Sequence, residues 1–257
     1  MKNREIYYQD ELNDEFSGIK RVKPNIDDKF IYIHKNPCWK FLGFIVYRIF
    51  LTPFAYFYLK FKFHAKFVNK KVLKPFKRKG YFIYGNHTNI PADAFIPNML
   101  SFPQNCYVVV NSENVAVKGT RNIMMMLGAL PIPDNFNGMK NFINAIEKRS
   151  VQKSMIMIYP EAHVWPYYTK IRPFKATSFR YPVQFSDPSF CFTTTYQKRK
   201  HSKKPKMVIY VDGPFYADNS IDEFKRKEDL RNQIYSKMVE RSANSNCEYV
   251  KYIKKEG

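Results

Sequence analysis

Cysteines and acids are both scarce in this sequence, and each scarcity closes off a class of protein. Only four cysteines occur in 257 residues, Cys38, Cys106, Cys191 and Cys247. They form no CxxC pair, and no histidine stands at metal-ligand spacing to them, so neither a disulfide framework nor a zinc site is expected. Free, buried thiols in a reducing cytoplasm are the plainer reading. No internal repeat or low-complexity linker occurs, and GxSxG, the setting of an activated serine, is absent. The N-terminal MKNREIYYQDELNDEF is polar and acidic, unlike a secretory signal. Acids number 22 against 43 lysines and arginines, a formal net charge of +21. So positive a field implies a polyanion nearby, either nucleic acid or an anionic membrane face. Helix-turn-helix, RNA-recognition and zinc-finger signatures are lacking, and the expectation is a membrane and no nucleic acid. Lysines that only solvate the surface remain the alternative.

Aromatics are abundant, with 23 Phe and 19 Tyr. Phe41 to Leu59 reads FLGFIVYRIFLTPFAYFYL, close to the ~20 residues needed to cross a bilayer. Arg48 stands in its middle, Pro53 interrupts it, and the uncharged part from Ile49 to Leu59 is 11 residues. Trp39, Tyr47, Tyr56 and Tyr58 are side chains favoured at a lipid interface. The segment reads as one or two helices dipping into one leaflet, with a buried core helix as the alternative. Lys60 to Gly80 follows with nine lysines and arginines and no acid. Basic residues beside an apolar anchor suit an anionic phospholipid surface, each contributing about 1 kcal/mol. A second basic cluster, Lys198 to Lys206, is expected to form a loop between strands.

The N-terminal 36 residues carry seven acids and read as turns and short elements. From Gly80 onward, near-continuous apolar runs predict strands at Tyr81–Tyr84, Tyr107–Val110, Ser154–Tyr159, Phe190–Thr195 and Met207–Val211. Met139, Phe142, Ile143 and Ile146 recur at helical spacing, with Asn137 as a possible cap. Ser220 to Glu223 reads as a capping box opening a helix with Leu230, Ile234 and Met238 on one face. Alternation of this kind predicts an α/β fold, a central, largely parallel sheet flanked by helices, with an N-terminal membrane-docking helical segment. The division expected is residues 1–79 for lead-in and docking segment and 80–257 for the α/β domain. Sites in such folds lie at the carboxyl ends of strands.

Two segments follow strand ends. GNHTNIPADAF contains Asn86, His87 and Asp93, and PEAHVWPYYTKIRPFK contains Glu161, His163, Lys170, Arg172 and Lys175. An aspartate bonded to a histidine fixes its tautomer and stabilises the imidazolium, the base–orienter half of a triad. With no protein nucleophile, such a base activates a substrate hydroxyl or water. Read alone, Asp93 could equally cap a helix, and Glu161 with its basic neighbours could be a solvated charged loop.

Together these segments resemble the glycerolipid acyltransferases that include the 1-acylglycerol-3-phosphate acyltransferases, the PlsC-like proteins. GNHTNIPAD is similar to that family's NHxxxxD motif and YPEAHVW to its FPEGTRS. LGALPIPD (Leu127–Asp134), FKATSF (Phe174–Phe179) and VDGPF (Val211–Phe215) resemble three further blocks in the same order. The resemblance implies transfer of a fatty acyl group from acyl-CoA or acyl carrier protein to a hydroxyl of a glycerol phosphate or lysophospholipid. It implies His87 as base and Asp93 as its orienter, with Asn86, Glu161, Arg172 and Lys175 as substrate-binding residues and no metal or other cofactor. Lysophosphatidic acid is the acceptor expected, at the cytoplasmic face of the cell membrane, in a peripheral or monotopic protein. This chain departs from the pattern in having five residues, not four, between His87 and Asp93. Ala162 replaces the glycine, His163-Val164 the Thr-Arg, and Asp134 the arginine of the middle block. Arg121, Lys170, Arg172 and Lys175 are the substitutes available for an acceptor phosphate. A catalytically degenerate lipid-binding or scaffold protein is the alternative these departures keep open.

Overall fold

Strands and helices alternate through residues 4–16, 18, 26–116 and 119–255, which the computed structural model describes. The order begins β1 (Arg4–Tyr8), α1 (Pro37–Phe44), a π-helical run over Ile45–Leu51, α2 (Thr52–Lys62), β2 (Lys66–Val68) and β3 (Tyr81–Gly85). It continues with α3 (Ile90–Ser101), β4 (Cys106–Val110), α4 (Arg121–Met126), β5 (Ala129–Pro131), α5 (Phe136–Val151) and β6 (Met155–Ile158). Last come α6 (Arg180–Phe185), β7 (Ser189–Arg199), β8 (Ser202–Phe215), α7 (Glu223–Ser242) and β9 (Val250–Lys254). The reading of the lead-in as turns and short elements lies partly outside the described residues.

A seven-stranded sheet is ordered β2-β8-β7-β3-β6-β4-β5, and among its neighbours only β7 and β8 pair antiparallel. β3 shows why the apolar runs are continuous. Side chains alternate across a strand. Phe82 and Tyr84 join a core with Phe142 and Ile146 of α5 and Leu230, Ile234 and Met238 of α7. Tyr81 and Ile83 join the opposite core with Ala55 and Leu59 of α2 and Ile96 and Leu100 of α3. The sheet is central, largely parallel and covered on both faces, as the sequence predicts.

Three local expectations are corrected. Asn135, not Asn137, caps α5, its Oδ1 accepting the Gly138 N–H at 2.9 Å. Asp222 caps α7 through the Phe224 N–H at 2.9 Å, while Ser220 turns back onto Asp218. Ser220 is thus too far upstream to serve the first helical turn. The basic cluster Lys198–Lys206 is not a loop: β7 and β8 run on through it, with only Lys200 and His201 between them. The longer ladder satisfies backbone groups that a loop would leave to water.

Pro37–Lys62 forms one continuous helical run, long and apolar enough to cross a membrane by length and composition. Pro53 does not divide it. A proline lacks the N–H that would bond four residues back and its ring crowds that carbonyl. The turns before Pro53 widen, with the Thr52 N–H bonding Tyr47 O, and the axis carries on. Tyr47, Ala55 and Leu59 are buried against the body of the protein, whereas Phe41, Phe44, Phe50, Phe54, Phe57 and Phe61 are exposed. Arg48 turns inward and donates to Pro103 O at 2.6 Å and Asn105 Oδ1 at 2.8 Å. The N-terminal stretch does not stand apart: β2 joins the large sheet beside β8, and β1 pairs in parallel with β9.

Candidate active site

β3 ends at Gly85, where a side chain would not fit, since a Cβ would lie 2.3 Å from the Phe192 ring. The next residue, Asn86, is buried. Its amide accepts the Thr194 N–H at 2.8 Å and donates to Thr194 O at 3.0 Å, continuing the β3–β7 pairing with a side chain. The chain leaves the sheet at His87, whose backbone is held on both sides. Its N–H donates to Glu161 Oε2 at 3.0 Å and its carbonyl accepts the Trp165 N–H at 3.1 Å. Thr88 O accepts the Tyr167 N–H at 2.8 Å and the Tyr196 hydroxyl at 3.1 Å.

Asn89 then caps α3 through the Ala92 N–H at 3.3 Å, and Pro91 occupies the first turn, where its missing N–H costs nothing. This start carries Asp93 back over the loop. Asp93 Oδ2 lies 2.8 Å from His87 Nδ1 and also accepts the Asn89 N–H at 2.8 Å. Capping and orienting are therefore not rivals, because one carboxylate oxygen does both. The residue inserted between His87 and Asp93 is taken up in the turn, and the pair closes. Asp93 is buried, and the imidazole retains 20% of its surface. With Nδ1–H donated to Asp93, the free lone pair of a neutral ring is on Nε2.

Tyr159 completes this cluster. Its ring stacks on the imidazole with centroids 4.3 Å apart and planes 17° apart, and its hydroxyl donates to Asp93 O at 2.6 Å. That carbonyl would ordinarily accept the N–H four residues on, but position 97 is proline. Burial, reinforced by the Asp93 charge, pushes the phenol pKa well up, so the hydroxyl stays a neutral donor. Sequence reading passed over Tyr159; the signal was Pro97, four residues after Asp93, which leaves a buried carbonyl needing a donor.

Glu161 and Arg172 lie beneath the loop that carries His87, with both side chains buried. The Glu161 carboxylate is buried and accepts the N–H groups of His87 and Arg172, each at 3.0 Å. Arg172 is 1% exposed. Its guanidinium lies 3.5 Å from Glu161 Oε2 and donates to Glu161 O and Glu11 O, each at 3.2 Å, and to His163 O. Burial pushes the Glu161 carboxyl above its ordinary range, opposed first by the Arg172 charge and then by the backbone N–H groups. Asn86 is likewise buried and bonded to Thr194. Of the residues read as substrate-binding, only Lys175 is exposed, before the 3-10 turn Ala176–Phe179; Lys170 and Arg121 are exposed too.

The motif departures have physical readings. Ala162 has φ of 62°, a left-handed conformation that the motif's glycine adopts without steric cost. Asp134 accepts the Ser112 hydroxyl at 2.9 Å and the Ile26 N–H at 3.4 Å, a structural link in the place of an arginine. Trp165, of the same loop, donates to Asp14 O at 2.7 Å and stacks on Tyr252, so the β1–β9 pair is clasped to the site.

A partly exposed imidazole held at Nδ1 by a buried carboxylate, with no serine or cysteine nucleophile beside it among the described residues, can take a proton at Nε2 from a bound hydroxyl. The family model described as Acyltransferase matches residues 64–196, a span that contains both site segments. This chain belongs to that acyltransferase family. No curated protein matches this acyltransferase by sequence. Among solved structures it is similar to the 1-acyl-sn-glycerophosphate (LPA) acyltransferase PlsC from Thermotoga maritima. That similarity has 11% identity and a TM-score of 0.51, over 83% of this chain and 98% of the other. At that identity the likeness is one of fold, and the PlsC-like architecture is the one described above.

Proposed function

We propose that this acyltransferase moves a fatty acyl group from the thioester of acyl-CoA or acyl carrier protein to the hydroxyl of a lysophospholipid or glycerol phosphate, lysophosphatidic acid first among them. The observation that supports this reading is the closed His87–Asp93 pair at 2.8 Å. His87 Nε2 takes the hydroxyl proton as the oxygen attacks the thioester carbonyl. Asp93 stabilises the imidazolium. Collapse of the tetrahedral intermediate breaks the C–S bond, and the imidazolium returns its proton to the departing thiolate. Base catalysis of this kind contributes about 10²–10⁴-fold. Closure of the pair despite its longer spacing weighs against a degenerate lipid-binding scaffold. An acceptor screen with labelled acyl-CoA and acyl carrier protein tests the proposal, with products resolved by mass. The expected product is the acceptor with one hydroxyl hydrogen replaced by the acyl group, released together with the free thiol; transfer to no lysophospholipid or glycerol phosphate from either donor overturns it.

The same reading puts the enzyme on an anionic membrane surface as a monotopic protein at the cytoplasmic face. The helical run Pro37–Lys62 lies along the body through Tyr47, Ala55 and Leu59 and leaves its phenylalanines outward, a geometry suited to one leaflet. Phe50 and Phe57 are 65% and 54% exposed. Replacing both with serine is expected to weaken sedimentation with anionic vesicles at least tenfold, since burying one phenylalanine contributes roughly 1.5–3 kcal/mol. Unchanged sedimentation removes the helix from membrane docking.

A further inference from the structure

A cavity of about 510 Å³ opens at the other end of the sheet from His87. Asn105 and Ser154, which immediately precede β4 and β6, stand at its floor, whereas His87 follows the carboxyl end of β3. Its sides come from α1 and the π-helical run, the end of α4 and the last turn of α5. Five of its lining residues are basic, Lys35, Lys40, Arg48, Lys148 and Arg149, and none is acidic. The lining also contains apolar and aromatic side chains, Trp39, Phe44, Tyr107, Met125 and Met126.

The two arginines are the informative residues. Both are half-buried, and among the described residues neither pairs with a carboxylate. Arg48 donates only to neutral oxygens, those of Pro103 and Asn105, and its second terminal nitrogen, Nη1, is buried without a partner. Arg149 donates to Gln152 Oε1 at 2.9 Å and lies 4.2 Å from the Tyr107 ring centroid, and its Nε is buried without a partner. Desolvation of a guanidinium is costly unless an anion accompanies it. Burial lowers the pKa of Arg149, the expected direction for a cation lacking its counter-charge. Arginine donors in a fixed fork match a phosphate oxygen pair. Phe44 of α1 lines the cavity and is exposed, as are Phe41 and Leu42 of the same helix, so an anion held there would carry its apolar tail toward a surface already suited to lipid.

We infer that this cavity is a second lipid site, separate from the catalytic pair, which takes the phosphate headgroup of one anionic membrane phospholipid between Arg48 and Arg149 and its acyl chain against Phe44, Met125 and Met126. The inference deepens the membrane reading above and rests on it for the source of the ligand. Occupancy seats α1 against α4 and sets the docking helix at a fixed depth relative to the body.

Native mass spectrometry of the full chain, released from neutral detergent micelles doped with phosphatidylglycerol, reads the site directly. The wild-type chain is expected to retain one phosphatidylglycerol, and Arg48→Gln/Arg149→Gln to retain at least tenfold less. Gly43→Leu serves as the second variant. Gly43 lines the cavity, and a Cβ there meets Met126 only at 3.7 Å, so the leucine fills the space without altering charge or crowding backbone. It is expected to lose the lipid equally, and it carries the test if the arginine pair fails to fold. Lys203→Gln/Lys204→Gln, on the exposed β7–β8 hairpin, removes the same charge and is expected to retain the lipid fully. Retention by both cavity variants, or equal loss in the hairpin variant, overturns the proposal. Inorganic phosphate or glycerol 3-phosphate that displaces the lipid at equal concentration overturns it in favour of a soluble anion. Vesicle sedimentation separates the two readings. A chain that sediments but retains no lipid overturns the site and keeps the docking. A chain that retains the lipid without sedimenting supports the site and removes the docking.

Discussion

His87→Ala is expected to lower kcat/KM for acyl transfer by about 10²–10⁴-fold, the contribution of a positioned general base, with little loss of stability. The two effects separate because the residue's structural duties fall on its backbone. The His87 N–H reaches Glu161 and its carbonyl takes the Trp165 N–H, and alanine keeps both. The imidazole itself contributes a stacked contact with Tyr159 and the bond to Asp93. Asp93→Asn behaves differently, since its Oδ2 also accepts the Asn89 N–H at the start of α3. An amide can still accept there, but it no longer favours the imidazolium, so kcat should fall while the melting temperature moves modestly. Steady-state kinetics with lysophosphatidic acid, alongside thermal unfolding of each variant, decide the matter. A His87→Ala enzyme within tenfold of wild type would remove the base from the mechanism.

Arg172→Met is expected to destabilise the protein by about 3–5 kcal/mol at neutral pH, because it strands a buried carboxylate. Glu161 keeps its two backbone donors but loses the opposing charge that moderates its raised pKa. The sign of the pH dependence follows. A carboxyl raised above its ordinary value of 4.5 contributes stability below that value and loses it as pH rises through the folded pKa. The deficit of Arg172→Met should therefore be small near pH 4, grow as pH rises, and level off above the folded pKa of Glu161. Glu161→Gln/Arg172→Met should recover part of the loss, as removal of both charges abolishes the stranded one. Urea unfolding of the three variants at acid and neutral pH measures this. A deficit that does not change with pH would show that lost packing over Trp165, 4.9 Å from the guanidinium, outweighs the charge.

Much of the fold was legible because strand and helix periodicity are local. The runs around Phe82, Ile156 and Phe190 are apolar at successive positions since both sheet faces are covered, and Leu230, Ile234 and Met238 are buried as their spacing requires. Caps were less legible. Asn135 and Asn137 are equally able acceptors, and only the true start of α5 distinguishes them. The end of β7 was missed because its lysines carry no apolar signal; those positions pair through backbone groups, which every residue type has.

The chemistry of the site divides along the same line. That His87 is followed by an aspartate able to hold it, without a nucleophile, is a matter of residue types a few positions apart, and the sequence alone determined it, along with the net positive charge and the aromatic, apolar N-terminal segment. Tertiary structure decided the rest. Glu161 meets the His87 N–H across 74 residues of chain, and Arg48 meets Asn105 across 57. Whether a charge faces solvent, a substrate or a buried partner depends on which distant groups desolvate it, and that is set by packing. Closure of the His87–Asp93 pair across its extra residue likewise depended on where α3 starts, on the Asn89 cap, and on the Tyr159 hydroxyl that takes up the carbonyl left free by Pro97.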